Sequence, residues 1–99
     1  MTPEGRVKAK LKKALDKLDA YYFLPATGGY GRSGVPDVVG CIGHQFFAIE
    51  CKAVGGKPTA LQMREMQKIR HAGGIAFIYD GTASDDDVRD MLLGVTTHG

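Results

Sequence analysis

The sequence predicts an α/β fold, and three observations predict it. Apolar residues recur at helical spacing over Val7, Leu11, Ala14, Leu15 and Leu18, and Met66 and Ile69 continue from Gln62 in the same way. Two apolar runs, Asp37 to Ile42 and Gln45 to Ala53, flank a Gly43-His44 turn as a hairpin does. A further run, Ile75 to Tyr79, is short and wholly apolar, the mark of a buried strand. With 99 residues the chain is expected to be one domain, residues 1–99, near the small end of what folds alone. Its core will be thin, so a dimer or another partner is expected from the start.

The elements follow in order. Thr2-Pro3 opens a helix, with Thr2 as N-cap and Pro3 at the first helical position. Glu4 stands three residues before Val7, at the head of the buried stripe. It is either a favourable charge on the helix dipole or an acid that leans into a site. Arg6, Lys8, Lys10, Lys12, Lys13 and Lys17 take the other faces. Such a run is a solvated face or a track for a phosphate backbone. Tyr21 to Pro25 reads as a short strand. Ala26 to Val35 is a Gly-rich loop, a connector or a substrate loop in which Tyr30 stacks on a base and Arg32 grips a phosphate beside Ser33.

After the hairpin, Val54 to Pro58 is a turn. Thr59-x-x-Gln62 is a capping-box pattern at the start of a second helix, which ends near Gly73-Gly74. Gln62 is therefore a cap, or, from its inward position, an amide that reaches a site. Arg64, Lys68 and Arg70 add positive charge on the outer side. Ser84-x-x-Asp87 starts a last helix through about Leu93, with Asp85, Asp86 and Asp87 as favourable first-turn acids. Thr96 to Gly99 is a frayed end.

Composition excludes several classes. No apolar run approaches the ~20 residues a membrane span needs. No charged-then-apolar leader is present, so a soluble, cytoplasmic chain is expected. Cys41 and Cys51 fall inside predicted strands, fit no metal spacing, and are expected to be buried thiols. The Ala26–Val35 loop lacks the Walker A pattern. Net charge is only +2, but Met1 to Tyr79 carries a balance of +6 and Asp80 to Gly99 one of −4. That asymmetry leaves one face attractive to a polyanion.

The hairpin concentrates the chemistry. Asp37 opens its first strand. Glu50 and Lys52 interrupt the second, on the face shared with Phe46 and Ala48. Two charges on a covered face cost desolvation unless something pairs with them. A structural Glu50–Lys52 ion pair is one account, but it leaves Asp37 unexplained. The other is a metal-dependent phosphodiesterase. Hard oxygen ligands suit Mg²⁺ or Mn²⁺, with Asp37, Glu50 and the backbone carbonyl of Cys51 as ligands. Lys52 would orient or deprotonate the attacking water and stabilise developing charge.

Pro36-Asp37 followed by Glu50-Cys51-Lys52 resembles the PD-(D/E)xK nuclease superfamily. Together with Glu4, Gly34-Val35-Pro36-Asp37, Thr59-x-x-Gln62 and Ala72-Gly73-Gly74, the pattern is similar to the VRR-NUC family of virus-type replication-repair nucleases. The resemblance spans roughly residues 4 to 79. It implies a restriction-endonuclease-like core: a mixed sheet of about four strands flanked by helices. It implies a Mg²⁺- or Mn²⁺-dependent endonuclease on DNA, with ligands at Asp37 and Glu50, the catalytic lysine at Lys52, and Glu4 and Gln62 as accessory residues. Small stand-alone members are similar to phage and bacterial proteins that dimerise and act on branched DNA, much like Holliday junction resolvases. Larger relatives carry the domain in DNA crosslink repair. The alternative is a nucleic-acid-binding module that kept the fold without cutting.

Overall fold

The computed structural model describes residues 1–26 and 33–94. It begins with α1, Pro3–Lys17. Thr2 caps this helix, its hydroxyl accepting from the Gly5 N–H at 3.0 Å, and Pro3 needs no amide partner there. Val7, Leu11, Ala14 and Leu15 are the buried stripe.

Four strands follow: β1 (Tyr21–Phe23), β2 (Val38–Ile42), β3 (Gln45–Cys51) and, after α2 (Ala60–His71), β4 (Ile75–Tyr79). They form one sheet in the order β1-β2-β3-β4. The first three run antiparallel and β4 joins β3 in parallel, so the sheet is mixed. Between β2 and β3, Gly43 and His44 both hold positive φ, at 51° and 71°. Two such residues make the turn whose twist matches a two-residue hairpin. At Gly40 an added Cβ would meet the Tyr21 carbonyl and, at 2.7 Å, the Phe47 ring. A glycine there lets β1 lie against β2.

Helices cover both faces. Val7, Leu11 and Leu15 of α1 pack with Val38, Phe47, Ile49, Cys51 and Tyr79 on one face. Val88 and Leu92 of α3 (Asp85–Leu93) join them. On the other face, Met66 and Ile69 of α2 meet Ala48, Ala76 and Val39. That side is only half covered: Tyr21, Phe23 and Phe46 stay 69%, 53% and 46% exposed.

The structure refines several sequence expectations. β1 stops at Phe23 rather than Pro25, β2 starts at Val38 rather than Asp37, and β3 ends at Cys51 rather than Ala53. Pairing with β4 ends at Cys51 opposite Tyr79, so Lys52 lies just past the ladder. Cys41 is exposed, not buried, because it faces the uncovered half of the sheet beside Tyr21. The basic run on α1 is partly tied down: Lys10 donates to the Gly81 carbonyl at 2.6 Å and Lys17 pairs with Asp85 at 3.0 Å. Arg70 turns its guanidinium onto the Ala76 carbonyl. No helix among the described residues is long and apolar enough to cross a membrane.

Candidate metal centre

The antiparallel register assembles the site. Val38 stands opposite Ile49. One step further along both strands, Asp37 falls beside Glu50. Asp37 is held by its Oδ2, which accepts the Cys51 backbone N–H at 2.8 Å. α1 comes from the far face, and its first turn brings Glu4 to the same place. One oxygen each from Glu4, Asp37 and Glu50 lies within 4.8 Å of the others.

Glu50 is the residue under most constraint. It is the only charged side chain buried among the described residues, at 2% exposure. Its Oε1 accepts from the Gln62 amide at 3.2 Å. Its Oε2 is buried and has no hydrogen-bond donor. Burial first, then the neighbouring Asp37 and more weakly Glu4, push its carboxyl up to about 8 against the opposing pull of Lys52. A buried carboxylate oxygen without a donor is costly. A proton shared with Asp37, a bound water or a cation would satisfy it. One oxygen each from Glu4, Asp37 and Glu50 makes a set of hard donors that suits a divalent cation of the oxygen-loving kind.

No protein-family model and no curated protein matches the chain. A solved structure described as a VRR_NUC domain is similar to it, at 26% identity and a TM-score of 0.76, covering 91% of this chain and 97% of that one. That likeness supports membership of the VRR-NUC family.

In this fold Gln62 closes the helix cap and also touches the carboxylate cluster. Its Oε1 accepts from the Thr59 N–H at 2.8 Å and closes the capping box, while its Nε2 bonds Glu50. The helix cap fixes the amide that the carboxylate receives. Lys52 is half-buried; its backbone N–H donates to the Tyr79 carbonyl at 3.0 Å, and its charge is felt at Glu50. Cys51 points its thiol into the core, where burial pushes it up to about 12. It is inert as a thiolate, so any part it takes in the site is through its backbone.

The remaining sequence candidates separate. Tyr30 and Arg32 lie outside the described residues. Ser33 is exposed. Lys12 is exposed on α1, two turns from Glu4. Lys8 does not belong with the solvated run: its Nζ lies 3.4 Å from Asp37 Oδ1. The signal for that was available, since Lys8 is one turn from Glu4. Sequence reasoning also missed the reason for Gly34. It holds φ +77°, and an added Cβ would stand 2.6 Å from the Leu61 carbonyl and 2.9 Å from the Gln62 nitrogen. The segment entering Asp37 is thus pressed against the start of α2. An open groove of about 590 Å³ runs beside this contact, lined by Pro36, Val39, Phe46 and Ile69, and contains none of the three carboxylates.

Proposed function

We propose that this chain is a Mg²⁺- or Mn²⁺-dependent endodeoxyribonuclease, a single nuclease domain over residues 1–99, selective for branched DNA and active as a homodimer. The likeness to a VRR_NUC domain supports a nuclease in general. The observation that carries the metal-dependent reading is the donorless buried Oε2 of Glu50 among the carboxylates of Asp37 and Glu4. A non-catalytic binding module has no use for that desolvation cost.

In this reading Asp37 and Glu50 would hold the ion with the Cys51 backbone carbonyl, and Glu4 would lean on the same site. Such an ion, when bound, offsets charge on a non-bridging phosphate oxygen and activates water. Gln62 fixes the Glu50 rotamer. Lys52 orients the attacking water and meets the charge that develops on the phosphate. Lys12, with Tyr30, Arg32 and Ser33 of the segment before Pro36, grips the strand. Lys8, expected from sequence among these DNA contacts, also pairs with Asp37. The exposed Tyr21, Phe23 and Phe46 supply an apolar patch for a second copy. Two sites set against two strands suit a symmetric four-way junction. A bacterial or phage-infected cytoplasm fits this role.

The test is cleavage of supercoiled plasmid, linear duplex and a four-way junction with Mg²⁺, Mn²⁺ or EDTA. Metal-dependent cutting, strongest on the junction, is expected, with Asp37→Asn and Lys52→Ala each at least a hundredfold slower. A wild type that binds junction DNA but cuts nothing with either metal returns the module reading.

A further inference from the structure

Lys8 is placed where a surface lysine has no reason to be. Its stem leaves α1 one turn after Glu4, and its ammonium stops 3.4 Å from Asp37 Oδ1, with the two side chains only 36% and 21% exposed. The other Asp37 oxygen is already taken by the Cys51 N–H. Oδ1 is therefore the oxygen Asp37 has left for a metal, and Lys8 sits on it. We propose that Lys8 is a positioning residue that holds Asp37 ready in the metal-free protein and is displaced when the cation binds. This rests on the metal-site reading above.

The chemistry of the side chain fits the task. An ammonium is a single point charge on a flexible stem and withdraws easily, whereas a guanidinium would grip a carboxylate with two parallel donors and leave slowly. Without a cation at Oδ1, Asp37 would face the Glu4 carboxyl with only the Cys51 N–H and, while Glu50 is protonated, the proton of that carboxyl. Like charges at that range repel, and the ligand cluster would open. The divalent ion must then compete with Lys8, which sets its affinity below what the three carboxylates would otherwise give.

Calorimetric titration with Mn²⁺ at pH 8, without DNA, separates this from an ordinary ion pair between α1 and the strand entry. Lys8→Met should bind Mn²⁺ about fivefold or more tightly than wild type, and Lys8→Arg should bind it more weakly. Lys13→Met removes the same charge from an exposed site on the helix and should stay within about twofold of wild type. A purely structural pair would lower the melting temperature of Lys8→Met without tightening Mn²⁺, and that outcome overturns the proposal. Should Lys8→Met fail to fold, Lys8→Arg decides: unchanged or tighter Mn²⁺ binding overturns it. A wild type that binds no Mn²⁺ removes the metal-site reading and the role of Lys8 with it, whereas wild-type binding with no gain in Lys8→Met removes the role of Lys8 alone.

Discussion

Gln62 donates its side-chain amide to Glu50 at 3.2 Å while its own carbonyl oxygen accepts from the Thr59 N–H at 2.8 Å. One residue thus closes the cap at the start of a helix and bonds a buried carboxylate. The two tasks can be separated by mutation. Gln62→Glu keeps an acceptor for Thr59 and places a third acid against Glu50. It should leave unfolding free energy within about 1 kcal/mol of wild type near pH 5, where the new pair shares a proton, yet cut junction DNA at least tenfold more slowly. Gln62→Ala also loses the acceptor of the Thr59 N–H, while Thr59 still caps the helix, and should cost about 0.5–1.5 kcal/mol. Denaturant unfolding beside a cleavage assay measures both. Equal cleavage by Gln62→Glu and wild type would remove Gln62 from the site.

Glu50 makes the metal-free protein sensitive to pH in a defined direction. Its carboxyl is raised from about 4.5 to about 8, chiefly by burial. Between those values the folded state holds a proton that the unfolded chain has lost. Stability from this group is therefore full below about pH 4.5 and is lost as pH rises through 8. A divalent ion needs the ionised carboxylate, so Mn²⁺ affinity should climb between pH 6 and 8, by at most about tenfold per pH unit for one released proton. Glu50→Gln should flatten the stability profile over this range and abolish strong Mn²⁺ binding. Thermal melts and titrations at three pH values test this. A metal-free wild type equally stable at pH 5 and pH 8 contradicts it.

Gly34 and Gly55 offer a matched pair. Both hold left-handed backbone, at φ +77° and +86°, but an added Cβ at Gly34 meets the Leu61 backbone at 2.6 Å and one at Gly55 meets nothing within 4 Å. Gly55→Ala should cost about 1 kcal/mol from backbone strain alone. Gly34→Ala should cost clearly more, of the order of 3 kcal/mol, and also weaken Mn²⁺ binding, because Asp37 follows three residues later. Equal melting temperatures for the two variants would mean that the contact with α2 positions nothing.

The uncovered sheet face predicts how a dimer is broken. Phe46→Glu and Phe23→Glu place charge on exposed rings, so the isolated protomer should keep its circular dichroism and melt near the wild type. Light scattering should then show the wild type at twice the 10.6 kDa chain mass and each variant at the chain mass. A wild type that remains at 10.6 kDa across micromolar concentrations rules the homodimer out.

Much of the fold was legible because local rules act within a few residues. Thr2-Pro3, Thr59-x-x-Gln62 and Ser84-x-x-Asp87 announce the three helix starts, and each cap is formed as written. Gly43-His44 announces the hairpin. Strand ends were less legible, since they depend on where a partner strand stops. Lys52 falls outside the ladder only because Tyr79 ends β4. The exposure of Cys41 was hidden for the same kind of reason: alternation assigns a residue to a face but does not say whether a helix covers that face.

The sequence by itself determined the element order, the caps, and the presence of Asp37, Glu50 and Lys52 on one hairpin, because hairpin register follows from a two-residue turn. It also determined that Glu4 lies on the inward stripe of its helix. Only the tertiary structure decided that Glu4 reaches Asp37 and Glu50, that Gln62 caps and orients at once, and that Lys8 is spent on Asp37 rather than on solvent. Those relations join α1, the hairpin and α2 across opposite faces of the sheet. They depend on how the helices dock, and docking is set by the packed core of Leu11, Leu15, Phe47, Ile49 and Met66, not by any spacing along the chain.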